Sequence, residues 1–120
     1  MVQRKRLPDE RQSIIHKFQV YDQEGYLIVG MYPNGRPGEI FVKIAKEGST
    51  VSGLLDGIAI VISIALRHGV PLDSITTKLK NMHFEPYGET THPDIKKATS
   101  LLDYIVRWLE LKFAKEEPHD

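Results

Sequence analysis

A short loop ahead of the longest apolar segment carries residue types that can hold an anion. Residues 46–57 read KEGSTVSGLLDG. Backbone N–H groups at the start of a helix bind phosphate, often with a lysine nearby. The Walker sequence is absent, because Lys46 precedes the glycines instead of following the last one. If the loop binds an anion, we predict contacts at Lys46, Gly48, Ser49, Thr50 and Ser52.

The same loop also fits a structural role. Ser49 and Thr50 are both favourable N-cap residues for the helix that follows. Gly53 and Gly57, four residues apart on one helix face, would let that helix approach a sheet closely. The structural role is the favoured interpretation, because helix N-termini are generally capped and only sometimes bind a ligand, and anion binding stays open as the alternative.

The other reactive side chains do not form a catalytic or metal-binding pattern. The five histidines are scattered, without a metal-ligand spacing on one helix face. No serine lies in a G-x-S-x-G sequence, and the chain has no cysteine for thiol chemistry, disulfides or thiolate metal sites. We predict no catalytic residue, no metal and no cofactor in this chain. Glu39 and Asp56 are the carboxylates that we expect to be partly buried.

Basic residues are concentrated near the start of the chain, at Arg4, Lys5, Arg6 and Arg11. The whole chain carries 16 basic and 16 acidic residues, so no overall field draws it to nucleic acid or to an anionic membrane. Aromatic and basic residues do not interleave along the predicted strands, which makes nucleic acid the weaker expectation for this segment. We predict that these four residues contact a partner.

The first half of the chain has the two-residue periodicity of strands. In SIIHKFQVYD (13–22) the residues Ile14, His16, Phe18 and Val20 share one face. The segments YLIVGMY (26–32) and EIFVKIA (39–45) follow, and Asn34-Gly35 between them is a strong hairpin signal. Three strands joined by short turns predict an antiparallel meander.

The second half changes to a helical period. Over residues 50–68 apolar side chains cover nearly the whole circumference, which predicts a helix that is buried all round. A short helix over 73–79 and a loop over 81–93 follow. Asp94 is the predicted cap of a last helix, whose apolar stripe runs from Ile95 through Ala98 to Phe113.

The expected fold is α+β: a three-stranded antiparallel meander followed by three helices packed on one face (βββααα). We expect a basic extended arm over residues 1–12, a single domain over 13–113 and a polar tail over 114–120. The N-terminus lacks a signal-peptide pattern, and the apolar stretch over 54–66 is shorter than the ~20 residues that span a bilayer. These features predict a cytoplasmic protein without a membrane contact.

Five stretches, in order, carry a resemblance to one known family. They are RKRLPDERQSIIHKFQV (4–20), GYLIVGMYPNGRPGEIFVKIAKEGSTVSGLLDG (25–57), ISIALRHGVPL (62–72), FEPYGET (84–90) and SLLDYIVRWL (100–109). Together they resemble the C-terminal accessory domain, called the TSCPD domain, of adenosylcobalamin-dependent (class II) ribonucleotide reductases. Met1, just before the first stretch, favours a separate small chain.

The resemblance implies a role in deoxyribonucleotide synthesis through a partner chain. Enzymes of this family reduce ribonucleotides by a thiyl radical generated from the cobalt cofactor, and their reactive cysteines lie in a large barrel and a cysteine-rich tail. A chain with no cysteine cannot perform that step, so adenosylcobalamin is implied only for the family's catalytic domain. We therefore expect a non-catalytic accessory domain, associated with ribonucleoside-diphosphate reductase and bound to its catalytic chain.

Two further functions stay open on the sequence. One is a stand-alone nucleotide-binding regulator that uses the loop over 46–56, and the other is a nucleic-acid-binding module that uses the basic arm. Homo-oligomerisation is also open. Thermal stabilisation by nucleotides would indicate the first function, and a steep salt dependence of binding would indicate the second.

Overall fold

Eight helices and strands build the part of the chain that the structure, a computed structural model, describes: residues 6–45 and 48–113. In chain order they are β1 (Ser13–Val20), β2 (Gln23–Met31), β3 (Pro37–Ile44), α1 (Thr50–Arg67), α2 (Leu72–Leu79), β4 (Gly88–His92), β5 (Ile95–Ala98) and α3 (Leu101–Phe113). The strands form one five-stranded antiparallel sheet of order β3-β2-β1-β4-β5. The α+β class is confirmed.

The meander of β1, β2 and β3 follows from the alternation of its side chains. On β1, Phe18 and Val20 point to the core and are 1% and 0% exposed, while the residues between them face the other side. The turn between β2 and β3 has Gly35 at φ 89°, and its N–H donates to the Tyr32 carbonyl at 2.8 Å. The predicted hairpin at Asn34-Gly35 is therefore confirmed.

Two strands that the sequence analysis did not predict extend the sheet. β4 lies inside the predicted loop over 81–93, and it joins β1 through one registered pair, Val20 with Thr90. β5 consists of residues 95–98, which the apolar stripe predicted to be the start of the last helix. Asp94 lies in the turn between these two strands and caps nothing, because α3 begins only at Leu101. The predicted order βββααα is thus corrected to βββααββα.

Helix α1 packs along β3 with one face only. Its buried residues include Leu55, Ala59 and Ile62, and the hydroxyl of Ser63 accepts the N–H of Ile40 at 2.9 Å. The opposite side of the helix is exposed, so the prediction that α1 is buried all round is wrong. By length and composition α1 would suit a membrane span, but a core helix of a soluble protein passes the same test. Its inner side packs on β3, and 28% of the helix is buried inside the fold.

Helix α3 completes the core. Tyr104, Trp108 and Leu109 are at most 1% exposed and belong to one apolar cluster with the inner sides of the meander, α1 and α2. Helix α2 is fastened to α3 by Thr76, whose hydroxyl donates to Glu110 at 2.8 Å. All three helices therefore contribute to the same core, as predicted.

The other side of the meander is contacted by the described arm only near Glu39, where Arg11 lies, and is otherwise uncovered by the described residues. We call it the open face. By strand alternation its side chains are those of Ser13, Ile15, Lys17, Gln19, Glu24, Tyr26, Ile28, Glu39, Phe41 and Lys43.

Candidate functional site

The predicted anion loop begins α1 with a serine cap. The Ser49 hydroxyl accepts the N–H of Ser52 at 3.1 Å, and the Ser49 carbonyl accepts the N–H of Gly53 at 3.0 Å. Two donors of the first turn are therefore satisfied within the helix. Gly48 has φ 78°, a conformation that glycine adopts without a steric penalty. The structural part of the prediction, a cap at Ser49 or Thr50, is confirmed for Ser49.

A cavity of about 750 Å³ lies beside this helix start. Ser49 and Thr50 line one side, and the turn after β1 and the loop before β4 line the rest. The charged residues of its described lining are Asp22 and Glu85, and carboxylates repel a phosphate. Lys46 lies outside the described residues. Anion binding at this loop stays a prediction.

The described part of the basic arm is attached to the sheet. Arg11 Nε donates to Glu39 Oε2 at 2.8 Å, and the Glu39 side chain is only 12% exposed. Glu39 is thus the partly buried carboxylate that we expected, whereas Asp56 is exposed. Arg6 is also exposed. Arg4 and Lys5, two of the four predicted partner contacts, lie outside the described residues.

The exposed side of α1 is an apolar surface. We define the outer face of α1 as Gly53, Leu54, Gly57, Ile60, Val61 and Ile64, whose spacing of three and four residues places them on one side of the helix. Leu54, Ile60, Val61 and Ile64 are 63%, 59%, 65% and 45% exposed. Contiguous exposed apolar patches in soluble proteins mark interaction sites.

The two helix glycines lie on this outer face and not against the sheet. A Cβ added at Gly53 or Gly57 would have no heavy atom within 4 Å. The expectation that they allow close packing on the sheet is therefore wrong. Since neither residue has a side chain, the helix backbone itself is open to contact between Leu54 and Val61.

Comparison with known families identifies the domain. The TSCPD domain matches residues 3–113, nearly the whole chain. This chain belongs to the TSCPD domain family. The resemblance seen in the sequence is confirmed.

The relatives of this TSCPD domain are much longer proteins. A vitamin B12-dependent ribonucleotide reductase of Rhodopirellula baltica is 53% identical over 110 residues, which cover 92% of this chain and 11% of the relative. The enzyme of the same name from Streptomyces coelicolor is 46% identical with the same two coverages, and that from Bradyrhizobium diazoefficiens is 39% identical over 94% of this chain and 9% of the relative. The chain thus spans about a tenth of these relatives. No solved structure matches it.

Sequence analysis missed the most buried carboxylate of the TSCPD domain. Asp103 is 1% exposed and accepts the backbone N–H groups of Asn81 at 2.7 Å and Thr99 at 3.0 Å, together with Arg107 Nε at 2.9 Å. The signal was present, because Ser100 and Asp103 form a capping-box spacing before an apolar run. The Ser100 hydroxyl accepts the Asp103 N–H at 3.0 Å.

A histidine is stacked into the aromatic part of the core. The His16 ring lies 4.8 Å from the Trp108 ring, and His16 Nε2 is hydrogen-bonded to the Tyr104 hydroxyl at 2.7 Å. Burial, with smaller contributions from His92 and Lys112, lowers the pKa of His16 below its ordinary value. Burial raises the pKa of Tyr104 to about 12. The fold therefore favours a neutral imidazole beside a neutral phenol.

We expect the unfolding free energy of the TSCPD domain to decrease in mild acid because of His16. The unfolded histidine has a pKa near ~6.5, and the folded pKa is lower. The contribution of neutral His16 to the unfolding free energy is therefore complete above about pH 6.5, and it is lost as the pH falls towards the folded pKa. Urea unfolding at about pH 7.5 and about pH 5.5 measures this loss. His16→Gln, which stays neutral, should lose less, and an equal loss in both proteins would contradict the assignment.

Metal ligands do not assemble within the part of the chain that the structure describes. In residues 6–45 and 48–113, no three histidine, aspartate or glutamate side chains are grouped so that they could hold an ion. The predicted absence of metal and cofactor concerns the whole chain and stays a prediction.

Proposed function

We propose that this TSCPD domain is a non-catalytic accessory domain of vitamin B12-dependent ribonucleotide reduction, and that it docks on a reductase catalytic chain through the outer face of α1. One observation carries the proposal. The chain matches only 11% of a relative that is named as such a reductase, while 92% of the chain is matched. In the relative, the matching segment is therefore part of a much longer polypeptide, and it can contact the rest of that chain.

The outer face of α1 is suited to that contact. Its four exposed branched side chains would gain about 25 cal/mol for each Å² of apolar surface removed from water. The flanking Asp56 is exposed and lies outside the apolar stripe. Gly53 and Gly57 would allow another helix or loop to approach the α1 backbone closely. The opposite side of α1 is already occupied by β3.

Catalysis belongs, in this proposal, to the partner chain. This chain has no cysteine to carry a thiyl radical or to supply electrons. The size of the cavity beside Ser49, about 750 Å³, also supports this division, because it suits drug-sized ligands and a corrinoid is considerably larger. We place adenosylcobalamin on the catalytic chain, and the complex in the cytoplasm.

Binding to a reductase that lacks its own copy of the domain tests the proposal. We expect this chain to bind the Rhodopirellula baltica reductase from which the matched 110-residue segment has been deleted. Leu54→Glu combined with Val61→Glu should weaken the Kd by about 100-fold or more, because two charges would be desolvated in an apolar contact. Biolayer interferometry measures the affinities.

Matched controls separate docking from folding. Ile15→Glu, on the open face, should keep the parent affinity, and thermal melting should show that all variants are folded. The full-length reductase should bind this chain more weakly, because its own segment already occupies the contact. No binding to the deleted reductase, or equal affinities of the parent and the α1 variant, would refute the proposal. If sedimentation shows a dimer that the α1 variant abolishes, the outer face is a homodimer interface instead.

The nucleotide-binding alternative can be examined with the same proteins. A nucleotide that binds only the folded state raises Tm in proportion to RT ln(1 + [L]/Kd). Such a shift would be independent of Leu54 and Val61. A Tm shift of this kind would therefore indicate nucleotide binding at the loop with Ser49 and Thr50, and it would not test docking on the reductase.

A further inference from the structure

The open face places two lysines on either side of a tyrosine. In the strand register Tyr26 of β2 lies opposite Lys17 of β1 and opposite Lys43 of β3. The Tyr26 side chain is 45% exposed, and both lysines are exposed. Neither lysine forms an ion pair with a described residue. Their charges are therefore available to an external anion.

A second aromatic ring lies in the neighbouring row of the same face. Phe41, which is 48% exposed, is opposite Ile28, and Ile28 is opposite Ile15. Adjacent rows on one face of a sheet are ~7 Å apart, so Phe41 lies diagonally next to Tyr26. The centre of the open face thus presents the aromatic rings of Tyr26 and Phe41, with the positively charged Lys17 and Lys43 on either side of Tyr26.

Of the two carboxylates on the open face, Glu39 lies at one end and Glu24 lies in the row next to Tyr26. Glu39 is bonded to Arg11 at 2.8 Å, at one end of the face. Glu24 lies opposite Gln19, next to the turn between β1 and β2. The row of Lys17, Tyr26 and Lys43 consequently carries two positive charges next to the single negative charge of Glu24.

We propose that the open face binds single-stranded nucleic acid, with bases stacked on Tyr26 and Phe41 and phosphates next to Lys17 and Lys43. Aromatic side chains on an open sheet accept bases of any sequence, and flanking cations follow the backbone of the strand. The proposal concerns a different surface from the outer face of α1 and does not depend on docking.

A peptide fits this face less well. Extended peptides pair with the edge of a sheet, and helical ones enter an apolar groove. The backbone groups of β2 are already paired with β1 and β3. The cavity at this face, about 440 Å³, is lined by Asp9, Glu10, Arg11, Ile28 and Glu39 among others, and not by Tyr26. A flat row of rings without a groove favours bases.

This arrangement is not visible in the sequence of any single strand. The interleaving of basic and aromatic side chains runs across the strands, from Lys17 to Tyr26 to Lys43. These residues are 9 and 17 positions apart in the chain, so register alone brings them together. The expectation that nucleic acid binding is unlikely, and would use the basic arm if present, rested on the balanced net charge and on the absence of interleaving along the strands.

Fluorescence anisotropy with a labelled thymidine strand of about 15 nucleotides tests the proposal. We expect saturable binding at about 50 mM salt that weakens towards about 200 mM. Lys17→Gln with Lys43→Gln should make the slope of log K against log salt shallower by about 1.4, since each phosphate contact on a single strand contributes about 0.7. Tyr26→Leu should weaken the Kd about 5- to 150-fold, whereas Tyr26→Phe should retain the parent affinity.

Two controls make the result decisive. Lys78→Gln with Lys96→Gln removes two exposed lysines outside the meander and should leave both affinity and slope unchanged. Leu54→Glu with Val61→Glu should also bind the strand normally, which separates this proposal from the docking proposal. The absence of saturable binding, an unchanged slope in the Lys17 and Lys43 variant, or an equal change in the lysine control would overturn the proposal. So would loss of reductase binding by the Tyr26 variant without any oligonucleotide binding, because the face would then be a protein contact.

Discussion

Asp103→Ala is expected to reduce the unfolding free energy of the TSCPD domain by about 2–5 kcal/mol, because each donor left without its acceptor costs about 1–3 kcal/mol. The Asp103 side chain is buried and accepts the N–H groups of Asn81 and Thr99 and the guanidinium of Arg107. Its loss would leave these three donors without their acceptor and would separate the end of α2 from the start of α3. Small domains have a total stability of about 5–15 kcal/mol, so the variant would be severely destabilised.

Urea unfolding of the parent and the variant measures this effect. Asp56→Ala is the matched control, because Asp56 is an exposed helical aspartate, and it should change stability by no more than about 0.5 kcal/mol. If both variants unfold at the same urea concentration, the bonds of Asp103 do not stabilise the domain.

The same carboxylate makes the domain sensitive to strong acid. Burial alone would raise the pKa of Asp103, but the bonds from Asn81, Thr99 and Arg107 together hold it below its ordinary value. A free aspartate titrates near ~3.9, so the stabilisation is complete above that pH and is lost as the pH falls through the lower folded pKa. The Asp103→Ala variant should therefore lose less stability than the parent between about pH 5 and about pH 3.

Two neighbouring residues of α1 are expected to respond oppositely to the same change. Ile62→Asp should cost more than about 4 kcal/mol or prevent folding, because Ile62 is 3% exposed and a charge would enter the core without a partner. Val61→Asp should change stability by less than about 0.5 kcal/mol, because Val61 is 65% exposed on the outer face. Circular dichroism and urea unfolding distinguish these outcomes.

Each member of the pair controls for the other. Both changes introduce the same residue near the same point of one helix, so helix propensity and net charge change alike. If the two variants are equally stable, α1 does not use Ile62 to face β3. If Val61→Asp also unfolds, the outer face is covered in the isolated domain.

Sequence alone was sufficient for the meander. Its strands alternate except near the register shift at Gly30 and Met31, and the turn at Asn34-Gly35 has a local cause in the positive φ that glycine tolerates. The serine cap of α1 was also predictable, because a cap depends on three or four adjacent residues. Features with such local causes were assigned correctly.

The segment over 95–98 forms a strand, although its apolar residues have the spacing of a helix. Ile95 and Ala98 are both buried, at 4% exposure each, and a spacing of three residues is that of a helix. In the structure they occupy the two ends of the short strand β5. The true helix start, Ser100 with Asp103, lies six residues beyond Asp94, the predicted cap.

The sites depended on tertiary structure and could not be predicted in the same way. An apolar circumference does not tell which side of α1 meets β3, and the side with Gly53 and Gly57 proved to be the open one. The row of Lys17, Tyr26 and Lys43 exists only through strand register. In both cases the information lies in contacts between residues far apart in sequence.

The position of α3 at the end of the fold has a consequence for biosynthesis. Trp108 and Tyr104 are the largest fully buried side chains, and both belong to this last element. Protein domains fold as units while the ribosome adds residues from the N-terminus onward. The meander is therefore synthesised long before the helix that fills its core, and its inner side, with Phe18 and Leu27, stays without that cover in the meantime. A nascent chain stalled before residue 101 would expose this apolar side to chaperones and to aggregation, so the domain reaches its folded state only after α3 has left the ribosomal tunnel.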